Sequence, residues 1–529
     1  MSPEPAQPTA EAIPRDYNFA DDVLKRNLEA GRNAKVAYID HHGAWTYEQL
    51  ADRVARFAGV LRWFGVRREE RVLICLTDTI DWPTAFLGCL KAGVVAVPVN
   101  TLMTEEDYRF MLADSRARVL VVSEALYPKF QNILFNVSDQ QLQYVVVSGK
   151  NSDGHQELED LLSRANADLY TVPTTTDDIA FWLYTSGSTG QPKAAVHVHA
   201  DLRLTNDLYA APTLGITEND VCYSVAKLFF AYGLGNAMTF PLSVGATTVL
   251  LPDRPTPVSV ATILKKHQVT VFYAVPTFYA AFLANPDAPT RDELKLRRCV
   301  SAGEALPPDI GRRWLERYGV DILDGLGSTE MLHIFLSNSL GDVKYGTSGK
   351  PVPGYDVRLV GDDGAICKRG EMGELQVRGP TAAVMYWNNR AQSRTTFLGE
   401  WTRSGDKYIE DSDGYYVYCG RRDDMLRVSG MYVSPFEVEG ALQSHPDVLE
   451  AAVVAWPDAD ELIKPKAFVV LKAADKACDA LALALQDHCK QSLAPYKYPR
   501  WVEFRADLPK TATGKIQRFK LRAEIGGAH

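Results

Sequence analysis

The chain lacks the markers of several common protein classes. None of its eight cysteines forms a CxxC pair; Cys75, Cys89, Cys222, Cys299, Cys367, Cys419, Cys478 and Cys489 are scattered, most of them in apolar runs. A disulfide frame or a cysteine metal site finds no support there, and the thiols read as reduced packing residues. No apolar run is long enough to cross a bilayer, and Met1–Arg15 is rich in Pro, Ala and Glu without an apolar core, so neither a membrane span nor a signal peptide is expected. Positive charge is short. The 57 Lys and Arg against 66 Asp and Glu leave a formal charge of −9, which gives nucleic-acid binding no footing but permits local basic patches around an anionic cofactor. Internal repeats and low-complexity segments are missing too. What is present is ordinary globular composition, 46% hydrophobic and 23% charged over 529 residues. That is room for roughly two to four domains, with a cytoplasmic enzyme as the default.

One stretch stands out, Tyr184-Thr185-Ser186-Gly187-Ser188-Thr189-Gly190-Gln191-Pro192-Lys193-Ala194, directly after the apolar run Phe181-Trp182-Leu183. Glycines let backbone N–H groups turn toward a polyanion, while Thr185, Ser186, Ser188 and Thr189 offer hydroxyls and Lys193 a point charge. The pattern suits a phosphate cradle after a buried strand. It is not a Walker A loop, because Ala194 follows Lys193 and the glycine spacing differs. A Gly/Ser/Thr run by itself is more often a polar surface turn, so the rest of the chain must decide.

Thr46 and Gln49 make a capping box before a helix carrying Leu50, Val54, Phe57, Ala58 and Leu61. Strands are expected at Val72–Leu76, Val94–Val99, Val119–Val122 and Tyr144–Val147, with helices near Trp82–Leu90 and Glu105–Ala113 between them. This alternation predicts βαβ units with helices on both faces of a parallel sheet. The cradle is expected to open a second such subdomain with strands at Thr248–Leu251, Val271–Ala274 and Arg298–Ser301. From Gly346 to Tyr418 short strands such as Asp356–Val360 and Glu374–Val377 alternate with Gly and Asp turns, which suggests a small antiparallel barrel. The charged stretch Gly420–Asp424 reads as a linker. Ser434-Pro435-Phe436-Glu437 then opens a helix, and strands near Ala451–Ala455 and Ala467–Leu471 with a helix near Asp479–Gln491 complete a compact α+β domain.

Further motifs follow the cradle: Ser301-Ala302-Gly303-Glu304, Gly327-Ser328-Thr329-Glu330, Gly349-Lys350-Pro351, Gly373-Glu374-Leu375, Trp401–Asp406, Gly420–Asp424 and Pro509–Lys515. In this order and spacing, over Thr46 to Lys520, the chain resembles the adenylate-forming superfamily of acyl- and aryl-CoA synthetases, luciferases and peptide-synthetase adenylation domains. The resemblance implies an α/β fold: a large N-terminal domain of two doubly wound βαβ subdomains plus a small β-barrel (1–420), a hinge (421–426) and a small mobile α+β cap (427–529). It implies ATP, Mg²⁺ and coenzyme A. The cradle from Thr185, Ser186, Gly187, Ser188 and Thr189 to Lys193 would hold pyrophosphate, with Gly303, Glu304, Asp324 and Gly325 also on ATP. Thr329 would touch the α-phosphate and Glu330 would hold the metal. Asp406 would accept the ribose hydroxyls beside Arg421. Lys515 would swing in during adenylation, and it matches a lysine acetylated in some relatives, so that a lysine acetyltransferase becomes a conceivable partner. Asp423 matches the hinge, and Gly430 the glycine that approaches pantetheine.

The acid is read from departures. Lys227 and Phe230 stand where many relatives have the Pro and His of Pro-x-x-His, and Leu326 replaces an adenine-stacking tyrosine. These and Gly327–Phe335 resemble benzoate–CoA ligases. The implied pocket is Phe230, Ala231, Tyr232, Ala302, Gly327, His333 and Ile334, walls between which a flat ring fits. His333 at its far end could accept a para-hydroxyl, so 4-hydroxybenzoate stays open. So do carrier-protein charging, a luciferase-like oxygenase and an inactive nucleotide binder; monomer and homodimer are both open as well.

Overall fold

A computed structural model describes residues 13–135, 141–150, 153–167, 169–185, 192–421, 424–428, 431–458, 462–494, 496–510 and 516–524. Two large sheets organise the N-terminal part. The first has eight strands in the order Met385–Tyr386, Lys193–Val198, Ile179–Thr185, Val95–Pro98, Arg71–Cys75, Val119–Ser123, Tyr144–Ser148 and Gln156–Glu157. The second has nine: Lys350–Pro351, Ile334–Ser337, Ile322–Gly327, Arg298–Ala302, Val271–Ala274, Val221–Ser224, Thr247–Val249, Val36–Asp40 and Gly43–Thr46. Both are parallel in the middle and antiparallel at an edge.

Alternate side chains of the central strands enter different cores. Val72 and Ile74 point into the same core as Cys222, Val271, Tyr273 and Val300, whereas Leu73 and Cys75 point to a second core and Tyr223, Phe272 and Cys299 to a third. The two sheets therefore share one core and each has a second on its outer face. This explains why the strands read as continuous apolar runs. Helix Tyr47–Trp63 begins at the expected capping box, with the Gln49 N–H donating to Thr46 Oγ1 at 3.2 Å and the Thr46 N–H donating to Gln49 Oε1 at 2.8 Å.

The chain does not divide where the sequence suggested. The strands on either side of the cradle, Ile179–Thr185 and Lys193–Val198, pair with each other and complete the first sheet rather than opening the second. The second sheet instead takes in the early hairpin Val36–Thr46, through the pairing of Tyr38 with Thr248. Periodicity reports that a strand exists but not which partner it will find.

The Gly346–Tyr418 region is antiparallel as anticipated. Strands Asp356–Val360, Met372–Arg378, Phe397–Leu398, Trp401–Glu410 and Tyr416–Arg421 form an open half-barrel, while Lys350–Pro351 and Met385–Tyr386 join the two large sheets. The small C-terminal domain packs helices Pro435–Gln443, Asp479–Ser492 and Arg518–Ala523 on the strands Val448–Pro457, Ile463–Leu471 and Trp501–Phe504. Ser434 caps the first of these helices, accepting from the Glu437 N–H at 3.2 Å. No helix among the described residues is long and apolar enough to cross a membrane.

Candidate active site

The site gathers around one turn. Strand Ile322–Gly327 ends in Ser328, whose hydroxyl accepts from the Met331 N–H at 3.2 Å, and the tight turn Thr329–Met331 follows. Leu332 then takes φ +64°, a left-handed conformation that costs energy in a branched residue, and Ile334–Ser337 returns antiparallel. Two distant segments hold the turn. The Ala383 N–H donates to the Glu330 carbonyl at 2.7 Å, and the Thr381 hydroxyl donates to the Met331 carbonyl at 2.8 Å. The ring of His197, fully buried, spans 2.8 Å from Nε2 to the Thr329 carbonyl and 2.8 Å from Nδ1 to Asp201 Oδ2.

On one side of the turn the chemistry is charged. Glu330 Oε1 lies 3.4 Å from Lys193 Nζ, and the Tyr386 hydroxyl sits between them, accepting from Lys193 at 2.6 Å and donating to Glu330 at 2.5 Å. Burial alone would push the Glu330 carboxyl up; the Lys193 charge and the Tyr386 hydroxyl outweigh it and hold the group below the usual glutamate range. Lys193 faces Thr185 across the two cradle strands. Ser186, Gly187, Ser188 and Thr189 lie outside the described residues. Asp406 faces Arg421 across two strands, with Arg421 Nη1 3.4 Å from Asp406 Oδ1. Asp324 and Gly325 stand beside Ser301 and Ala302 in the parallel register, and Gly303 follows at φ +95°, a conformation glycine adopts freely. Burial pushes the Asp324 carboxyl up to about 8 although the Leu306 N–H donates to it at 3.3 Å. Glu304 is half-buried.

On the other side the chemistry is aromatic and neutral. His333 is ringed by Phe240, Tyr209 and Tyr232, with centroids at 4.5, 5.5 and 5.6 Å. Burial pushes its imidazole down to about 3, so it is neutral at physiological pH. Its Nε2 faces two oxygens, Asn236 Oδ1 at 3.2 Å and the Tyr232 carbonyl at 3.4 Å. The proton therefore belongs on Nε2 and leaves Nδ1 as an acceptor with no partner among the described residues. Tyr232 is pinned by its hydroxyl, which donates to the Val300 carbonyl at 3.1 Å. Phe230 packs on Phe229 at 4.4 Å, and Ala231 opens the short helix Ala231–Leu234. At Gly327 the two strands come so close that an added Cβ would lie 2.7 Å from the His333 carbonyl oxygen. Ala302 and Ile334 are buried in the core shared by the two sheets.

The structure thus brings together Lys193 with Glu330, Asp406 with Arg421, and Tyr232 and Gly327 with His333. Lys515, Asp423 and Gly430 lie outside the described residues. Sequence reading missed Tyr386, His197, Tyr209, Asn236 and Phe240. Tyr209 and Asn236 occupy two π-helical stretches, Asn206–Leu214 and Gly235–Thr239, a wide-turn geometry common at functional sites but carrying no simple sequence signal.

Comparison with known proteins agrees with this geometry. Residues 24–387 match the AMP-binding enzyme family model and residues 437–515 match the AMP-binding enzyme C-terminal domain. The chain is 60% identical to the benzoate–CoA ligase of Thauera aromatica, over 98% of each chain. It is 48% identical to the 4-hydroxybenzoate–CoA/benzoate–CoA ligase of Rhodopseudomonas palustris, over 97% of this chain and 95% of that one. A solved benzoate CoA ligase from Burkholderia xenovorans LB400 superposes with a TM-score of 0.90 at 52% identity, covering 96% of this chain and 100% of the other. The charged half and the aromatic half of the site, joined at one turn, are those of a chain that belongs to the AMP-binding enzymes.

Proposed function

We propose that this protein joins benzoate to coenzyme A through a benzoyl-adenylate, releasing AMP and pyrophosphate, and so opens aromatic acid degradation in the cytoplasm. The observation that carries the reading is the continuity of the turn Ser328–Leu332. Glu330 on one side of it faces a phosphate-type lysine, and His333, three residues on, faces an aromatic cage, with Ile334 in the core beside it. A ring seated there presents its carboxylate toward the phosphates. The eight free thiols suit a reducing compartment.

Two anions must meet, so the work is positioning and charge neutralisation. Lys193 and the cradle take the β- and γ-phosphates, and the Thr329 hydroxyl takes the α-phosphate. Glu330 fits a hard divalent cation: it is a single ionised carboxylate already facing a positive group, and among the described residues no cluster of three metal-binding side chains exists, so phosphate oxygens would complete the shell. Bound Mg²⁺ would supply charge neutralisation on those phosphates. Asp406 takes the ribose hydroxyls with Arg421 beside it, and the Gly303–Glu304 and Asp324–Gly325 edges flank the base. Lys515 enters on the cap (427–529), which turns on Asp423 within 421–426. Gly430 then lets pantetheine approach. Acetylation of Lys515 would remove its charge. The working unit is a monomer or a homodimer.

A second reading, 4-hydroxybenzoate as substrate, is favoured by the Nδ1 of His333, unpartnered among the described residues, which can accept a ring hydroxyl. The test is an ATP-dependent thioester assay across benzoate, the hydroxybenzoates, cyclohexanecarboxylate and short fatty acids. Benzoate should lead, with AMP and pyrophosphate as products; ADP and phosphate would overturn the reading.

A further inference from the structure

Tyr386 is one of the residues at this site that no motif in the chain points to. It comes from the two-residue strand Met385–Tyr386, which lies antiparallel to Lys193–Val198 with Tyr386 opposite Ala195. Its ring is about 1% exposed and packs on Phe397 at 5.2 Å. The Ser393 hydroxyl accepts from its backbone N–H at 2.9 Å. The side chain is thus fixed from behind, and its hydroxyl reaches the only place where it can serve both Lys193 and Glu330, at 2.6 and 2.5 Å. The ammonium also lies 4.2 Å from the centre of the ring. A phenol has one proton and can give it to one partner only. Lys193 has no lone pair and an ionised Glu330 has no proton, so the direction is settled: lysine to phenol to carboxylate.

That chain has a consequence when nucleotide arrives. Lys193 is held on Tyr386 and Glu330 by groups that an incoming polyphosphate out-competes in charge, whereas the phenol proton is already committed to Glu330 Oε1 at 2.5 Å. We propose that Tyr386 is a positioning residue for nucleotide activation. While the site is free of nucleotide it keeps Lys193 and Glu330 together. When the lysine leaves for phosphate, it stays on Glu330 Oε1 and so turns the other carboxylate oxygen, Oε2, toward the metal side. This rests on the reading of Glu330 as the carboxylate on that side.

The experiment is nucleotide binding by calorimetry, with ATP in Mg²⁺ and ATP in EDTA, on the full-length wild type and on Tyr386→Phe and Glu330→Gln. Tyr386→Phe keeps the ring and its packing. MgATP binding should weaken on the order of tenfold to a hundredfold, the worth of a hydrogen bond to a charged group. Metal-free ATP should bind as well as in wild type or better, because the lysine is less firmly tethered. A merely structural defect would weaken both, and that result overturns the proposal, as does an unchanged MgATP affinity in Tyr386→Phe while Glu330→Gln loses it. If Glu330→Gln also binds MgATP normally, the assignment of Glu330 falls and the proposal falls with it.

Discussion

Glu330 and His333 lie three residues apart, the first half-buried and the second buried, and the protein treats them in opposite ways. Glu330 is kept charged by an ammonium and a phenol. His333 is surrounded by rings and kept neutral. The contrast shows how one turn can serve two ligands. On the proposed reading, the nucleotide side stores charge in pairs that can be exchanged for those of a ligand, and the acid side excludes charge so that only the substrate's own carboxylate brings any.

The contrast can be broken most severely from the charged side. Lys515→Ala should cut benzoate-dependent pyrophosphate exchange by about 10²–10³-fold, as expected for removing one transition-state cation, while pre-made benzoyl-adenylate is still converted to thioester. Equal loss of both halves would deny Lys515 a role special to adenylation. On the neutral side, Gly327→Ala places a methyl against the His333 backbone, where nothing can yield cheaply. The benzoate KM should rise about tenfold and the ATP KM should change little, in line with the cost of overpacking. His333→Ala should shift preference from benzoate toward ring-substituted benzoates by about tenfold in relative kcat/KM, the scale on which a pocket reads small changes in volume. An unchanged ranking would remove His333 from the pocket wall.

The smallest effect is in pH. The folded pKa of His333, about 3, is below its ordinary 6.5, so the neutral ring contributes stability above pH 6.5 that is lost as pH falls from 6.5 toward 3. Between pH 6.5 and 5.5 the wild type should lose about 1 kcal/mol more than His333→Gln, read from chemical denaturation at the two pH values. Identical slopes would mean that the ring is not held neutral by burial.

Much of the fold is legible in the sequence because buried parallel strands leave apolar runs, and capped helices announce their starts. The Thr46–Gln49 box and the Ser434 cap are examples that local chemistry alone settles. The pairing of strands is not local, which is why the sequence does not disclose the sheet to which Ile179–Thr185 belongs. The site divides in the same way. Glu330, Asp406 and Arg421 carry motif signals. His333 is legible only through resemblance. Tyr386 and His197 are not legible, because their partners lie 56 and 132 residues away and nothing in a lone Tyr or His records that distance.

The early hairpin has a consequence for biogenesis. Tyr38 must wait for Thr248, 210 positions downstream, before its strand has a neighbour on that side. At ordinary translation speeds this is a delay of roughly 10–40 s, during which an unpaired strand edge stands open beside the ribosome. A protein so wired cannot fold one half and then the other. Its early hairpin is among the first parts made and among the last to be locked.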